Sequence, residues 1–218
     1  MSEPRTEPTQ ALGRPSVLPT VYEVVACTVN SNPCVESLSL VTYHEGPNWR
    51  DLAQPAQSNG LRTLLKGVQQ DQGGRILTKL LRKEVSAEGL RALAQSVPAH
   101  KLLGVVSRVP LAGGGSGHIP MMDFMCVPST RNREVLTSLF REIGQKIGYL
   151  LESGRSYHYY GAEILTDEEW RVFLGKCLLM FGYVDDRYIG HQLVDGYCVL
   201  RLSAGKLKSS VPRVVAQL

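Results

Sequence analysis

Two short segments of the chain combine polar side chains with strand-forming residues in a pattern that suggests chemistry. The first, residues 118–124, places the carboxylate of Asp123 in an otherwise apolar run. The second, residues 153–161, places Ser156 and His158 on alternate positions of an aromatic run. A carboxylate inside a strand is energetically costly unless it has a partner, a ligand or a metal ion. The pattern therefore predicts a site that holds a metal ion and a phosphate group.

Strand geometry explains how these two segments would meet. Side chains alternate along a strand, so Ser156 and His158 share one face. We expect a single amphipathic helix, residues 133–152, to join the two strands in a β-α-β unit. If the strands are neighbours, Asp123 lies close to His158. The structural alternatives are an aspartate that bonds backbone or pairs with arginine, and a core histidine bonded to a backbone carbonyl.

Further candidates follow the second segment. Asp185 and Asp186 come after a short predicted strand and would supply another metal carboxylate, although acidic pairs are also common in turns. Arg187 adjoins this pair and is a candidate nucleotide contact. Arg201 would contact phosphate as a planar fork, and Lys206 would do so as a point charge. Carboxylate oxygens are the ligands that Mg²⁺ prefers, so we expect Mg²⁺ or Mn²⁺ as the cofactor.

Other catalytic motifs have no support in this sequence. The glycine-rich run at residues 113–117 precedes a predicted strand, whereas a phosphate-binding loop leads into a helix N-terminus. We therefore expect this run to be a flexible hairpin connection. The chain contains no Gly-x-Ser-x-Gly and no His-Glu-x-x-His motif, so a serine hydrolase and a zinc protease are not indicated.

Charge is distributed unevenly along the 218-residue chain. Residues 61–108 contain nine Lys/Arg and three Asp/Glu, a net charge of +6, and residues 200–218 carry a net charge of +4. Basic segments that flank an acidic middle would suit a polyanion such as DNA or RNA. The alternative is a solvated helix surface, since Lys and Arg are good helix formers.

The composition indicates a globular protein in a reducing compartment. Hydrophobic residues make up 43% of the chain and charged residues 20%. The five cysteines form no Cys-x-x-Cys motif, which favours reduced thiols over a disulfide frame or a zinc site. No apolar run approaches the ~20 residues that span a bilayer, and the N-terminus lacks a signal-peptide pattern. We therefore expect a cytoplasmic protein without a membrane segment.

Hydrophobic periodicity and turn residues predict the elements that position the candidate residues. The expected strands are residues 21–29, 37–43, 102–110, 119–127, 156–163, 183–184 and 197–202. The expected helices are residues 61–70, 75–83, 87–96, 133–152 and 166–182. Residues 44–58 are expected to form a loop, and the strands at 102–110 and 119–127 a hairpin.

The order of these elements predicts an α+β fold. From residue 102 the order is β, β, α, β, α, β, β, which is typical of an RRM-like, or ferredoxin-like, antiparallel sheet with helices on one face. We expect a disordered leader at residues 1–20 and an N-terminal α/β module at residues 21–100. The RRM-like core would then occupy residues 101–218 and end in a basic tail.

The motif order resembles that of the archaeo-eukaryotic primase superfamily over about residues 100–206. A strand with Asp123 precedes a helix and a strand with Ser156 and His158, and this Ser-x-His follows Ser-Gly-Arg as is common in the family. In that family an Asp-x-Asp motif and a later Asp bind divalent metals, and Ser-x-His helps to hold the incoming nucleotide. The resemblance implies an RRM-like core preceded by an α/β module.

The resemblance also implies roles for individual residues. It implies metal ligands at Asp123 and at Asp185 or Asp186, with Asp123 and Asp186 catalytic. The implied nucleotide contacts are Ser156 and His158, with Arg201 and Lys206 as basic contacts downstream. The second Asp of the Asp-x-Asp motif is replaced by Met125, as in divergent one-Asp members of the superfamily. Two-metal transfer uses carboxylates that bridge ions about 4 Å apart, so this replacement weakens such a site.

Two functions are therefore expected from the sequence. The first is a divergent primase-like protein that binds a nucleoside triphosphate and DNA or RNA, and that transfers nucleotides by attack of a 3′-hydroxyl on the α-phosphate. The second is a catalytically inactive RRM-like module that binds nucleic acid, alone or as a subunit of a larger nucleic-acid machine with partner proteins.

Overall fold

The computed structural model describes residues 18–44, 75–206 and 208–218. The helices in these ranges are α1 (Val21–Ser31), α2 (Ala87–Ser96), α3 (Thr130–Glu142), α4 (Asp167–Leu178) and α5 (Asp186–Asp195). The strands are β1 (Ser37–His44), β2 (Arg75–Leu81), β3 (Lys101–Val106), β4 (Arg108–Pro110), β5 (Ser116–His118), β6 (Met121–Asp123), β7 (Gly148–Glu152), β8 (Tyr157–Gly161), β9 (Val199–Arg201) and β10 (Arg213–Gln217). A 3-10 helix, Arg82–Glu84, follows β2.

Two antiparallel sheets of four strands each organise the molecule. Their strand orders are β2-β1-β3-β9 and β10-β7-β8-β6, and β4 pairs with β5 in a separate hairpin. One hydrophobic cluster contains buried residues from both sheets and from all five described helices. Because β1 pairs with β3, the first sheet crosses the boundary that the sequence suggested at residue 100. The division into an N-terminal module and a core stays a prediction.

Residues 21–29 form the helix α1, so the predicted strand there is wrong. Valine favours strands, but the segment carries a helix-start signal: the side chain of Glu23 accepts a hydrogen bond from the backbone N–H of Thr20 at 2.8 Å. Val21, Val25 and Val29 recur at helical spacing and are buried in the core. Tertiary packing of this face outweighs the strand propensity of its residues.

Residues 75–83 form β2 and the start of the 3-10 helix, so the predicted helix there is also wrong. β2 pairs with β1 in antiparallel register, from Ser37 opposite Leu81 to Thr42 opposite Arg75. The strand pairing supplies backbone hydrogen bonds that a helix would otherwise make internally. The predicted loop at 44–58, the predicted helix at 61–70 and most of the predicted leader lie outside the described residues.

The helix predicted for residues 133–152 is two elements. It begins at Thr130, after Ser129 caps it by accepting the N–H of Asn132 at 3.1 Å. It ends at Glu142, and Gly144 adopts a left-handed conformation with φ of 92°, which ends a helix without strain. Residues 148–152 form β7, because a short apolar run suits a buried strand as well as a helix face.

The elements after residue 100 are shorter and more numerous than predicted. The predicted helix at 166–182 ends at Leu178. A further helix that the sequence did not predict, α5, begins at Asp186. The predicted strand at 119–127 contributes only three residues to β6. The expected basic tail contains β10, which pairs with β7.

The mixed α/β composition and the antiparallel sheets are confirmed, but an RRM-like arrangement is not. The strands after residue 100 are divided between two sheets and a hairpin rather than collected in one sheet. All five cysteines are free. Of the helices in the described ranges, none combines the length and the apolar character that crossing a membrane requires.

Candidate functional site

Asp123 and His158 lie directly opposite each other on neighbouring strands. β6 pairs with β8 in antiparallel register, and the pair that closes the ladder joins these two residues. Asp123 Oδ1 and His158 Nε2 are 3.5 Å apart. β6 is only three residues long, but the chain stays beside β8 after Asp123. The backbone N–H of Phe124 donates to the carbonyl of Tyr157 at 3.0 Å, which fixes the position of Asp123.

Burial acts on this pair in opposite directions. It raises the pKa of the Asp123 carboxyl and lowers the pKa of the His158 imidazole well below its usual range. Asp123 Oδ1 and His158 Nδ1 are buried, and neither has a hydrogen-bond partner among the described residues. The Asp123 side chain as a whole is 25% exposed. The pair is therefore a neutral imidazole beside an incompletely satisfied carboxyl that a ligand can reach.

Asp185 is the second carboxylate of the site. Phe124, the residue after Asp123, forms a β-bridge with Val184, and Met125 donates to the carbonyl of Tyr183 at 2.8 Å. The negative charge of Asp185 raises the pKa of Asp123 further, as expected for two adjacent carboxylates.

Asp185 also begins the helix α5. Its Oδ1 accepts the backbone N–H groups of Arg187 at 3.1 Å and of Tyr188 at 3.2 Å. The carboxylate is therefore held in place by the helix that it caps.

Lys208 supplies positive charge to the site, and the sequence reading did not select it. After burial, its ammonium has the largest effect on the pKa of Asp123, which it lowers, and it also lowers the pKa of His158. It is half-buried in the loop between β9 and β10, where its carbonyl accepts the N–H of Gly205 at 2.8 Å. The only sequence signal was its place in the basic segment 200–218.

Arg201 lies beneath the site with its guanidinium directed at backbone. The side chain is buried, and Nη1 donates to the carbonyls of Ser203 at 2.8 Å and Ser210 at 2.7 Å. Nη2 donates to the carbonyl of Ser153. Its charge nevertheless lowers the pKa of both Asp123 and His158. The observed role of Arg201 is to join the loop after β7, through Ser153, to the loop between β9 and β10, through Ser203 and Ser210.

Ser156 belongs to the tight loop that leads into β8. Its carbonyl accepts the N–H of Ser153 at 2.9 Å, and the hydroxyl groups of the two serines are 3.2 Å apart. Gly154, with φ of 105°, permits the turn between them. Since Arg201 holds the Ser153 carbonyl, Ser156 is joined to the site through the loop backbone.

The other predicted residues are more peripheral. Asp186 is the exposed first residue of α5, and its Oδ1 accepts the N–H of Arg187 at 3.0 Å. Arg187 is half-buried on the same helix, and Lys206 is exposed in the loop after β9. Within the described ranges, no hydrogen bond or ion pair joins Asp186 or Lys206 to Asp123 or His158. The structure thus assembles Asp123, His158 and Asp185 and leaves Asp186 and Lys206 at the surface.

Two tyrosines, the buried Tyr160 and the half-buried Tyr188, complete the surroundings. The hydroxyl of Tyr160 has no hydrogen-bond partner among the described residues, and that of Tyr188 donates to the carbonyl of Val199 at 3.4 Å. Burial raises the pKa of both phenols, and the nearby negative charge of Asp123 raises them further. Both therefore stay neutral. Tyr160 shares the strand face of His158, which was the available sequence signal.

The donor set fits one divalent ion that is delivered with phosphate groups. Among the described residues, no cluster of three or more His, Cys, Asp or Glu side chains is placed to hold a metal ion by protein ligands alone. Mg²⁺, however, is commonly held by one or two carboxylates, with water and substrate phosphates as its other ligands. Asp123 and Asp185 are two such carboxylates, and the Asp123 side chain is 25% exposed, so that an incoming ion can reach it.

A family model described as AEP-like, Archaeo-eukaryotic primase 1D-like, matches residues 82–212. The chain belongs to this AEP-like family. The match covers Asp123, His158, Asp185 and Lys208, and it confirms the resemblance that the motif order suggested. No curated protein and no solved structure matches the chain.

Proposed function

We propose that this AEP-like protein binds a nucleoside triphosphate with Mg²⁺ or Mn²⁺ at Asp123 and Asp185, and a DNA or RNA strand beside it. The observation that carries the proposal is the opposition of Asp123 and His158 on β6 and β8, with Asp185 brought to the same place. A largely buried carboxyl without a full set of partners is destabilising, and it is retained in proteins chiefly where a ligand completes it. Membership of the family makes a nucleotide the chemically matching ligand.

Each residue has a distinct task in this proposal. Asp123 and Asp185 would hold the metal ion, which would neutralise charge on the triphosphate when bound. Lys208 would offset phosphate charge that the ion leaves uncompensated. His158, kept neutral by burial, would direct a single N–H at a phosphate oxygen without adding a charge.

Nucleotidyl transfer would require a primer terminus next to this nucleotide. A bond would form between the primer 3′-oxygen and the α-phosphorus as the bond from that phosphorus to the β-phosphate oxygen breaks, which releases pyrophosphate. Chemistry of this kind depends on positioning and on charge stabilisation rather than on a covalent nucleophile. Asp123, close to the reacting phosphate, would be the residue on which transfer depends most.

A second candidate function is recognition of nucleic acid without catalysis, alone or as part of a larger assembly. The observation that favours it is Met125, which stands at the second acidic position of the family motif and is 37% exposed. A thioether cannot replace a carboxylate as a ligand for Mg²⁺. Binding of nucleotide with one ion would survive this replacement more readily than two-metal transfer.

The test is binding of a labelled nucleoside triphosphate with and without Mn²⁺. We expect metal-dependent binding by the wild-type protein, a loss of at least tenfold in Asp123→Ala, and no loss in Glu168→Gln, which removes an exposed carboxylate on α4. Primer extension with the same proteins then separates the two functions. Binding that ignores metal and Asp123 would refute the proposed nucleotide site.

A further inference from the structure

A second buried polar cluster lies outside the candidate site. His118, at the end of β5, is buried, and its ring stacks on Trp170 with centroids 4.3 Å apart. Its Nε2 is 2.8 Å from Oδ1 of Asp167, at the start of α4. Its Nδ1 is 3.3 Å from the hydroxyl oxygen of Ser107, which is also buried.

The chemistry of the partners sets the direction of these hydrogen bonds. A carboxylate only accepts, so Nε2 of His118 carries the proton that is donated to Asp167. In the neutral imidazole Nδ1 then accepts, and the hydroxyl of Ser107 donates to it. The Ser107 oxygen in turn accepts the backbone N–H of Cys198 at 2.8 Å. This placement of the protons is the only one that gives every donor and acceptor in the three hydrogen bonds a partner.

Ser107 connects this cluster to the strands of the candidate site. Its carbonyl accepts the N–H of Ile119 at 2.9 Å, and Ile119 leads into β6. Cys198, held by Ser107 through both backbone and side chain, leads into β9, and its thiol lies 3.8 Å from the carbonyl of Met121 on β6. Asp123 is two residues beyond Met121. Ser107 thus joins the beginnings of the two strands that carry Asp123 and Arg201.

We propose that Ser107 and His118 position the strand that carries Asp123, and that they do so only while His118 is neutral. Protonation would place a second N–H on the ring, directed at the Ser107 oxygen. The Ser107 hydroxyl would then lose its acceptor, and the hydrogen bond to Cys198 would have to share that oxygen. The consequence for nucleotide binding rests on the proposed function; the positioning of β6 does not.

The charged groups around His118 make its protonation adjustable. Burial lowers the pKa of His118, while the Asp167 carboxylate raises it and the positive charges of Arg108 on β4 and Arg171 on α4 lower it. Asp167→Asn would keep a hydrogen-bond acceptor for Nε2 and remove the charge that favours the imidazolium. The pKa of His118 should therefore fall further in this variant.

The experiment uses three readouts on one set of proteins. Trp170 fluorescence, read in a Trp49→Phe background that leaves it as the only tryptophan, reports His118 protonation, because a stacked imidazolium quenches indole emission. Hydrogen-exchange protection of peptides covering residues 119–125 reports the position of β6. Affinity for a nucleoside triphosphate with Mn²⁺ reports the site.

We expect the fluorescence and the protection of residues 119–125 to change with one midpoint, below the ordinary histidine value of about 6.5. In Asp167→Asn this midpoint should move to lower pH, and the fall in nucleotide affinity at low pH should move with it. Ser107→Ala should lower protection of residues 119–125 roughly tenfold at neutral pH, the scale of one or two lost hydrogen bonds. Ser86→Ala, which removes a hydroxyl that accepts the N–H of Gly89 at 3.0 Å at the start of α2, should leave this protection unchanged.

The outcomes separate this inference from the proposed function. Constant protection of residues 119–125 across the His118 titration would overturn the inference, even if Ser107→Ala failed to fold. Nucleotide affinity that ignores the titration while protection follows it would overturn the link to binding. No nucleotide binding at any pH, with protection still following His118, would refute the proposed function and support the positioning of β6.

Discussion

Asp123 and His158 oppose each other across the β6–β8 ladder with Oδ1 and Nε2 3.5 Å apart, and burial pushes both side chains towards their neutral forms. A strong ion pair would instead hold the carboxyl pKa down and the imidazole pKa up. The pair therefore does little for the stability of the folded chain. A cation at the carboxyl or a phosphate group at the imidazole would supply the partner that each side chain lacks among the described residues.

The first prediction is that Asp123→Asn stabilises the protein while it removes metal-dependent nucleotide binding. The asparagine has no charge to bury and nearly the same shape, so we expect a gain of about 1 kcal/mol in the free energy of unfolding. For a chain of this size that corresponds to a rise of about 2–4 °C in melting temperature, measured by differential scanning fluorimetry. A lower melting temperature with intact nucleotide binding would show that Asp123 is a structural residue.

The second prediction separates the two adjacent carboxylates. Asp185→Asn should weaken Mn²⁺-dependent nucleotide affinity at least tenfold, about 1.4 kcal/mol, because the amide is a poor ligand for the ion. Asparagine still caps α5, so the fold should be kept. Asp186→Asn, the matched control, should change affinity less than about twofold, since Asp186 is exposed and shares no hydrogen bond or ion pair with Asp123 among the described residues. If calorimetry showed the larger loss of affinity in Asp186→Asn, Asp186 rather than Asp185 would be the metal ligand.

The third prediction concerns Lys208. Its charge lowers the pKa of Asp123, so Lys208→Met should raise that pKa. Metal binding requires the carboxylate form, and its onset should therefore move to higher pH in the variant. Lys206→Met removes the same charge from an exposed position and should leave the onset where it is in the wild type. Identical pH profiles of metal binding for the two variants would show that the charge of Lys208 does not act on Asp123.

Part of the site was predictable because strands constrain it strongly. Alternation along each strand predicts which side chains share a face, and the pairing of β6 with β8, which the sequence left as a condition, then places Asp123 opposite His158. Lys208 was not predictable in the same way. It lies in a loop with no period, and its approach to Asp123 depends on how that loop packs.

Two of the helix and strand errors have one physical cause. Residues 21–29 and 148–152 are short apolar runs that satisfy either period, and their structure is decided by what they pack against. The run at 21–29 is preceded by a helix-capping signal in Thr20 and Glu23. This signal favours the helix α1, whereas the valine content of the run favours a strand. The run at 148–152 follows a left-handed glycine that ends α3, which sequence alone indicates only weakly.

The fourth prediction is a fall in stability as the pH drops below about 6.5, the ordinary histidine value. Burial lowers the folded-state pKa of His118 and of His158, so the unfolded chain binds more protons than the folded chain in this range. Stability therefore rises with pH, by about 1.4 kcal/mol per pH unit for each histidine that is protonated only on unfolding, and is complete above the unfolded pKa. Asn substitutions of each histidine should flatten the slope measured by urea denaturation. An unchanged slope in both variants would mean that these imidazoles titrate alike in the folded and unfolded states.

The fifth prediction concerns Arg201, whose guanidinium holds three backbone carbonyls beneath the site. Arg201→Lys keeps the charge but not the planar fork, so at least one of these hydrogen bonds is lost in a buried place. We expect a loss of about 2–3 kcal/mol in the free energy of unfolding, measured by urea denaturation. Arg213→Lys, an exposed change at the start of β10, should cost less than about 0.5 kcal/mol.

Nucleotide affinity then decides what Arg201 contacts. Because its fork is directed at the carbonyls of Ser153, Ser203 and Ser210, affinity measured where both proteins are fully folded should fall only modestly. A large loss of affinity at unchanged stability would show instead that the guanidinium turns to phosphate when the nucleotide binds. Arg201 would in that case contact the ligand directly, as the sequence resemblance implied, and would not serve only to hold the loop carbonyls near Asp123 and His158.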